Sequence, residues 1–276
     1  MQRLTDDQIA QFQKLIYDFY TQNKRDFPWR KEITPYKIVI SEIMLQQTQT
    51  ARVVPKFENW LQRFPDFASL AQGTNHDILS AWQGLGYNRR GLALGKIAQI
   101  VTHDFNGQLP NDPKILQTFP AIGPNTAGSI CAFAFDNPTT FIETNIRTVF
   151  TDIFFKGQQN IDDKQLLPLI TQTIDCKNAR DWYYALMDYG VHLKQKLPKI
   201  NAASKHYTRQ SRFEGSKRQV RGAIIRILTQ LKNIDYDNLL ELLDFELPEN
   251  KHNRDLIIQD LLKEETIHIN QNILSL

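Results

Sequence analysis

The segment LQTFPAIGPNTAGSI, residues 116–130, carries the most specific local pattern of the chain. Pro120 and Gly123 predict a tight hairpin between two short helices, and small residues begin the second helix. Such a hairpin directs consecutive backbone N–H groups and a helix N-terminus at one external point, which forms a phosphate site without a charged side chain. An ordinary turn is the alternative. The residues expected to form the phosphate site are Ile122, Gly123, Asn125 and Thr126.

Helical periodicity dominates the rest of the sequence, and strand signals are weak, so we predict an all-α fold. Apolar residues at spacings of three and four follow a capping box that begins at Thr5. Residues 36–53 are predicted to form a mostly buried helix that ends or kinks before Pro55. The basic, helix-poor stretch 195–217 is the clearest boundary, and a small helical unit such as a winged helix is expected over 218–276.

Charge is distributed unevenly along the second half of the chain. Residues 194–226 contain ten Lys and Arg against one acid, whereas residues 231–276 contain ten acids against four basic residues. This pattern predicts a polyanion-binding stretch next to an acidic unit. A solvated loop neutralised by the acidic residues is the alternative. Candidate phosphate contacts in the basic stretch are Arg209, Arg212 and Lys217.

Composition excludes several classes of protein. The 276 residues include no apolar segment of membrane-spanning length, and the N-terminal MQRLTDDQ is polar. Cys131 and Cys176 give neither a disulfide framework nor a metal-ligand spacing. We therefore expect a soluble cytoplasmic monomer without membrane association or bound metal.

The segment SEIMLQQTQT, residues 41–50, places a single acid, Glu42, among apolar and amide residues. Desolvation in such surroundings raises the pKa of a carboxyl group, which suits a general acid. A buried structural glutamate paired with Arg30 is the alternative.

A second acid, Glu143, lies in TTFIETNIRTVF, residues 139–150, just after the helix that leaves the hairpin. With PWR at 28–30, WQGLGYNRR at 82–90 and YALMDYG at 184–190, the motifs stand in the order typical of one family. Over roughly residues 8–193 the chain resembles the MutY-type adenine DNA glycosylases, members of the endonuclease III superfamily with a helix-hairpin-helix. It departs from the family pattern at Ala121, usually glycine, and at Glu143, usually aspartate.

The resemblance implies a role for each matching residue. Glu42 would protonate the target purine, and Glu143 with Asn145 would stabilise the sugar cation. Gln46 and Gln47 would enter the duplex beside the extruded base. The residues implied for the base pocket are Trp29, Arg30 and Asp188, with Tyr87 packing at the lesion.

The chemistry supports these assignments independently. A purine leaves poorly as an anion, so a carboxylic acid with a raised pKa must protonate it. The deoxyribose then gains oxocarbenium character, which a second carboxylate stabilises, as in glycoside hydrolysis. A base within duplex DNA must also be flipped out, and uncharged glutamines can occupy the space that it leaves.

Three departures qualify the implied activity. Asn125 replaces the lysine with which bifunctional relatives form a Schiff base, so we expect base release without lyase activity. The four cysteines that hold a [4Fe–4S] cluster in most relatives align with Lys194, Asn201, Ser204 and Gln210, so no cofactor is expected. Residues 218–276 are too short for the domain that reads 8-oxoguanine in typical family members.

The resemblance implies two all-α lobes, one of about residues 29–135 and one of 1–28 with 136–215. It also implies a monofunctional glycosylase of base excision repair, associated with the nucleoid, that acts on double-stranded DNA containing a mismatch. The base removed would be adenine opposite 8-oxoguanine or guanine. Removal of thymine or uracil opposite guanine is one alternative. A weakly catalytic DNA-binding protein is another, for which Glu143 in place of aspartate argues.

Overall fold

The computed structural model describes residues 3–208 and 211–276, and the chain divides into two compact units. Unit 1 comprises Met1–Glu42 and Pro110–Arg209. Unit 2 comprises Ile43–Leu109 and Gln210–Leu276.

Helices α1 to α3 and α8 to α12 build unit 1, and α3 ends within unit 2. An aromatic cluster forms part of its core, where the ring of Phe12 packs edge-on against Phe150 and Trp182 at centroid distances of 5.3 and 5.5 Å. A short 3-10 helix, Ile200–Ala203, follows the last α-helix. The helices are α1 Asp6–Asn23, α2 Pro28–Lys31, α3 Pro35–Leu45, α8 Pro113–Leu116, α9 Pro124–Phe135, α10 Thr144–Phe154, α11 Asp163–Thr173 and α12 Ala179–Lys196.

The hairpin, formed by α8, α9 and their connecting turn, belongs to unit 1. Phe133 of α9 stacks on Tyr184 of α12 with ring centroids 4.5 Å apart. A Cβ built on Gly128 of α9 would lie 2.8 Å from the side chain of Phe141, so only glycine permits this approach. The structure therefore groups the hairpin with α12 rather than with the predicted lobe 29–135, because buried aromatic packing ties it there.

The first half of unit 2 contains four helices. Trp60 of α4 packs edge-on against Trp82 of α6 with centroids 5.7 Å apart, and both indole rings are fully buried. These helices are α4 Thr50–Arg63, α5 Phe67–Ala71, α6 Asn75–Trp82 and α7 Arg89–Asp104.

The C-terminal part of unit 2 adds three helices and a small sheet. The order helix, strand, helix, helix, strand, strand is that of a winged helix, and the antiparallel sheet has the order β1-β3-β2. Leu79 of α6 shares a buried apolar cluster with Ile224 and Leu228. Residues 218–276 therefore complete the core of unit 2 and do not form a separate body. The elements are α13 Lys217–Leu231, β1 Asn233–Asp235, α14 Tyr236–Glu246, α15 Arg254–Lys263, β2 His268–Asn270 and β3 Ile273–Ser275.

The predicted helix over residues 36–53 is two helices in the structure. Helix α3 ends at Leu45 because Gln47 adopts a left-handed backbone conformation, with φ of 54°. Pro55 lies inside α4 and does not mark the break. The guanidinium of Arg90 donates to the carbonyl oxygens of Ile43 and Met44 at 2.9 and 3.3 Å, which satisfies acceptors that a helix end leaves open. This contact joins residues far apart in sequence.

The all-α prediction is otherwise confirmed, since the three strands hold three residues each.

Replacing Ala121 with glycine should stabilise the protein. Ala121 lies in the hairpin turn with φ of 61°, a left-handed conformation that costs a non-glycine residue about 1–2 kcal/mol. Glycine removes this cost but loses more conformational freedom on folding, so a net gain of about 0.5–1 kcal/mol is expected. Denaturant unfolding measures it. Ala134→Gly, within α9, is the matched control and should destabilise; equal losses in both variants would contradict the prediction.

Candidate active site

The carboxyl group of Glu42 is partly withdrawn from water on α3. The side chain is half-buried, and the preceding residues Val39 and Ile40 are fully buried. The hydroxyl of Ser129 donates a hydrogen bond to Oε2 of Glu42 at 2.5 Å. Desolvation, together with the negative charge of Glu143, raises the pKa of Glu42 to about 7, although the hydrogen bond from Ser129 and the charge of Arg30 act in the opposite direction. Glu42 therefore exchanges its proton near neutral pH, as a general acid requires.

Ser129 was not among the predicted site residues, although it lies within the quoted hairpin segment. It belongs to α9, and its hydroxyl also lies 3.0 Å from the carbonyl oxygen of Thr126. Serine within a helix often bonds to its own backbone, so no sequence pattern predicted a contact between this hydroxyl and Glu42.

The second acid, Glu143, is held in position by its hydrogen-bond donors. It caps α10, where Oε1 accepts from the backbone N–H groups of Asn145 and Ile146 at 2.8 and 3.0 Å. The side-chain amide of Asn145 donates to Oε2 at 3.1 Å. Donors at a helix N-terminus favour a negative charge. Glu143 and Asn145 therefore lie together, as predicted from the resemblance.

Close packing by α12 holds Asn145 in place. A Cβ at Gly190 would overlap the backbone carbonyl oxygen of Asn145, so α12 approaches the start of α10 only because this residue is glycine. Gly190 ends the quoted YALMDYG motif but was given no role from sequence.

Helix α9 positions the segment before Glu143 as well as Glu42 itself. Oδ1 of Asn125 accepts from the backbone N–H of Ile142 at 3.1 Å, and the hydroxyl of Thr139 donates to the carbonyl oxygen of Gly128 at 2.7 Å. One helix thus determines where both acids lie. Asn125, expected only to replace a nucleophilic lysine, has a structural role here.

Asp188 is buried in an ion pair and does not present an acceptor to a base. Its carboxylate accepts from the side chains of Arg25 and Arg30 at distances between 2.6 and 2.9 Å, and from the backbone N–H of Arg25 at 3.0 Å. The residue is only 2% exposed. We therefore replace the predicted contact between Asp188 and the base with a role in positioning Arg30.

The other two predicted pocket residues of unit 1 lie beside this ion pair. Trp29 is buried and stacks on Phe27 with ring planes 10° apart and centroids 4.9 Å apart. The guanidinium of Arg30 lies over the ring of Tyr184 at 4.3 Å, and the negative charge of Glu42 raises the pKa of Tyr184 further above the value that burial gives it. Tyr184 thus lies near both Arg30 and Glu42.

Lys194 contributes a positive charge near the second acid. Burial lowers the pKa of its ammonium group, whereas the negative charge of Glu143 raises it. Lys194 is the residue that the sequence comparison with the family pattern aligned with the first cluster cysteine, and in the structure its ammonium group interacts with Glu143.

The predicted wedge residues and Tyr87 belong to unit 2. Gln47 and Tyr87 are exposed, and both adopt left-handed backbone conformations, with φ of 54° and 49°. The buried guanidinium of Arg90 donates to the carbonyl oxygens of Gln46 and of Gly86, the latter at 3.2 Å. Arg90 therefore holds the wedge and the Tyr87 loop together, a role that sequence reasoning missed.

The predicted phosphate contacts differ in exposure. Gly123 and Asn125 of the hairpin are exposed and Thr126 is half-buried, but Ile122 is buried, so it can contribute its backbone only. Arg212 and Lys217 are exposed. Arg209 lies outside the described residues.

Two other basic residues of this stretch are neutralised by the acidic C-terminal unit. Arg221 pairs with Glu264, and Arg226 pairs with Glu246. The predicted polyanion-binding surface is therefore smaller than the ten basic residues suggest.

The residues aligned with the cluster cysteines do not fit an iron–sulfur cluster, which requires thiolates. Oδ1 of Asn201 accepts from Thr148 at 2.7 Å, and the hydroxyl of Ser204 accepts from the backbone N–H of His206 at 3.1 Å. Gln210 lies outside the described residues. Throughout residues 3–208 and 211–276, no group of three or more His, Cys, Asp or Glu side chains is placed to hold a metal ion. Nor does this described part of the chain contain a helix with the length and apolar character needed to cross a membrane.

Comparison with known proteins identifies the family. The HhH-GPD superfamily of base excision DNA repair proteins matches residues 40–172. The chain is 34% identical over 201 residues to the adenine DNA glycosylase of Buchnera aphidicola subsp. Schizaphis graminum, which is 70% of this chain and 57% of that protein. It is 30% identical over 233 residues to the adenine DNA glycosylase of Mycobacterium tuberculosis, 76% of each chain.

A solved structure agrees with this fold. A thermostable thymine-DNA glycosylase superposes with a TM-score of 0.59 and 25% identity, covering 66% of this chain and 85% of that one. The chain therefore belongs to the HhH-GPD superfamily of base excision DNA repair proteins. Within it, the chain groups with the adenine DNA glycosylases, which confirms the predicted resemblance. It spans little more than half the length of the Buchnera relative.

Replacing Ser129 with alanine should shift the pH dependence of base release. The hydrogen bond from Ser129 lowers the pKa of Glu42, so its loss should raise that pKa. Because the general acid must be protonated, the fall in rate at alkaline pH should move to higher pH. Single-turnover rates across the pH range measure this. Ser41→Ala removes a buried hydroxyl that bonds to the Ile38 carbonyl oxygen instead, and should leave the profile in place; identical profiles for Ser129→Ala and wild type would contradict the assignment.

Proposed function

We propose that this protein is a monofunctional DNA glycosylase that removes adenine mispaired with 8-oxoguanine or guanine from double-stranded DNA. The observation that carries the proposal is a pair of carboxyl groups in different environments. Burial raises the pKa of Glu42 to about 7, whereas Glu143 accepts hydrogen bonds from backbone N–H groups at a helix N-terminus. Two acids in such different environments are what N-glycosidic hydrolysis requires.

Glu42 acts first. Its carboxylic acid gives a proton to N7 of adenine, so that the C1′–N9 bond can break with the electron pair leaving on a neutral base. The charge of Arg30 opposes protonation of Glu42, and its ion pair with Asp188 offsets that charge.

Glu143 acts on the sugar. Its carboxylate stabilises the positive charge that develops on the deoxyribose as adenine leaves. Water then adds to C1′ and gives a proton to a carboxylate. The products are adenine and an abasic sugar. The side-chain amide of Asn145 keeps Glu143 oriented through this step.

The reaction ends at base release, without a lyase step or an iron–sulfur cluster. Asn125 has no amine with which to form a Schiff base, and its side-chain oxygen is engaged by Ile142. The side-chain oxygens of Asn201 and Ser204 accept hydrogen bonds within the protein. The enzyme acts as a monomer on nucleoid DNA.

The relatives support adenine as the base removed, because the two curated proteins described above are adenine DNA glycosylases at 34% and 30% identity. A general acid near neutral pH also suits a purine, whose N7 can accept a proton. Removal of thymine or uracil opposite guanine is the second candidate, supported by the likeness to a thymine-DNA glycosylase at 25% identity.

A mismatch panel distinguishes these candidates. Single-turnover base release is measured on duplexes carrying A:8-oxoG, A:G, A:C, T:G and U:G. We expect adenine release from the first two and no release of thymine or uracil. Release from T:G or U:G alone would replace the adenine proposal with the second candidate, and no release from any duplex would favour a DNA-binding protein.

Replacing Glu42 with glutamine should abolish base release while leaving DNA affinity nearly unchanged. The amide retains the shape but cannot donate the proton, and loss of general acid catalysis costs about 10²–10⁴ in rate. Glu58→Gln, at an exposed position on α4, is the control and should retain full activity.

The same variant should become more stable relative to the wild type as pH rises. In the wild type, the pKa of Glu42 is raised from 4.5 to about 7 on folding, so the folded state binds more protons between these values and stability falls as pH rises through them. The glutamine variant escapes this loss. The difference between the two proteins is measured as the free energy of unfolding at pH 4 and at pH 8. In the activity assay, wild-type rates of base release by Glu42→Gln would show that Glu42 takes no part in the mechanism.

A further inference from the structure

Unit 2 contains a large cavity outside the two-acid site. Its volume is about 1060 Å³, slightly above the range of about 300–1000 Å³ typical of ligand sites. The loop Gln83–Arg89 forms one side, and residues of α13 with the segment just before it form the other. The second side lies beyond residue 172, where the family match ends.

Guanidinium groups dominate the charge of this cavity. Five arginines and two glutamates line it, so positive charge exceeds negative. Glu264 pairs with Arg221 and lies 3.9 Å from Arg89, and Glu246 pairs with Arg226. The remaining two arginines are Arg52 and Arg218. A surplus of guanidinium groups suits phosphate, which they bind through several donors at once.

Exposed aromatic rings stand at the same cavity. Tyr87 is 39% exposed and Phe213 is 56% exposed. The guanidinium of Arg218 lies 5.7 Å from the centroid of the Tyr87 ring and donates to its hydroxyl at 3.3 Å, which links α13 to the Tyr87 loop. Aromatic faces combined with arginines form the usual binding surface for an unpaired nucleotide, in which the base stacks and the phosphate meets positive charge.

Two side-chain amides complete the lining. Gln47 and Asn88 both border the cavity, and no hydrogen bond within the described part of the chain engages either side-chain amide. An amide offers a donor and an acceptor to the edge of a base. Gln47 is also the predicted wedge, and it would lie beside the base left without a partner once adenine is extruded.

We propose that this cavity binds the nucleotide opposite the excised adenine, with Phe213 stacking on its base and Arg218 contacting its phosphate. This inference rests on the proposed function, because it takes the extrusion of adenine beside Gln47 as its starting point. In this proposal, the C-terminal part of the chain recognises the opposite base through α13 and the residues just before it.

The test is a thermodynamic cycle in DNA binding that needs no catalysis. Affinity is measured for duplexes with an abasic analogue in place of adenine, and with 8-oxoguanine, guanine or a second abasic analogue opposite. Phe213→Ala should weaken binding about fivefold to a hundredfold when a base stands opposite, because base–aromatic stacking is lost. It should leave the doubly abasic duplex unaffected, since that duplex offers nothing to stack. Phe245→Ala, 84% exposed on α14 and outside the cavity lining, is the matched control and should change neither affinity.

Arg218→Ala provides a second, independent measurement. It should weaken binding to all the duplexes alike and reduce the slope of log K against log salt concentration by about one, because a phosphate contact is lost. Equal effects of Phe213→Ala on all duplexes, or none on any, would overturn the proposal.

Two further outcomes separate this inference from its alternatives. Free dGMP or 8-oxo-dGMP at millimolar concentration should not bind detectably without DNA. Tight binding of either that depends on Phe213 would assign the cavity to a small-molecule nucleotide and overturn the DNA proposal. If Phe213→Ala gives the expected affinities but no adenine is released on the mismatch panel, the proposed reaction is wrong and the nucleotide site is supported. If adenine is released but the affinities do not follow the expected pattern, only this inference is wrong.

Discussion

The active site depends on one physical constraint. The carboxyl group of Glu42 must be withdrawn from water and must still exchange a proton. Glu42 meets it because α3 carries the group among buried residues, and Ser129 supplies one hydrogen bond where water would supply several. Full burial without a donor would leave the acid permanently protonated. A salt bridge would leave it permanently ionised, and Arg30 is engaged instead by Asp188. The pKa of about 7 results from the balance between desolvation and these weaker opposing effects.

Helix α9 contacts both Glu42 and the segment that precedes the second acid. Its Ser129 meets Glu42, while Asn125 and Gly128 hold the segment that leads to Glu143. The same helix begins at the hairpin turn, where the backbone N–H groups expected to contact phosphate lie. A displacement of α9 would therefore alter the expected phosphate contact, the proposed proton donation by Glu42 and the position of Glu143 together. Its dense packing against Phe141 and Tyr184 is consistent with that demand for rigidity.

In unit 2, tertiary contacts hold in place the backbone that carries exposed side chains. Gln47 and Tyr87 both adopt left-handed conformations, and the single buried guanidinium of Arg90 binds the carbonyl oxygens around them. Desolvation lowers the pKa of Arg90 to about 10, yet several oxygen acceptors surround the charge. The acidic C-terminal elements engage Arg221 and Arg226 of α13, so the exposed cationic surface is restricted to a few positions.

The helical class, the hairpin and Glu42 could be predicted from the sequence, because each depends on local chemistry. Helical periodicity, a Pro/Gly turn and a lone glutamate in an apolar run are each visible within a short segment. Glu143 and Asn145 were indicated by the family resemblance, since a lone acid at that position is more often a helix cap.

The remaining features depend on contacts between distant segments. Ser129 became the partner of Glu42, 87 positions away in sequence, because α9 packs beside α3. Asp188 was lost as a base contact because two arginines from the N-terminal region occupy its oxygens. The break after Leu45 lies at the left-handed backbone of Gln47, beside carbonyl oxygens that Arg90 engages. The residues that follow the expected boundary at 195–217 join residues 43–109 in one unit, because Leu79 shares a core with α13. Each outcome depends on contacts between segments distant along the chain, which periodicity and motif spacing do not encode.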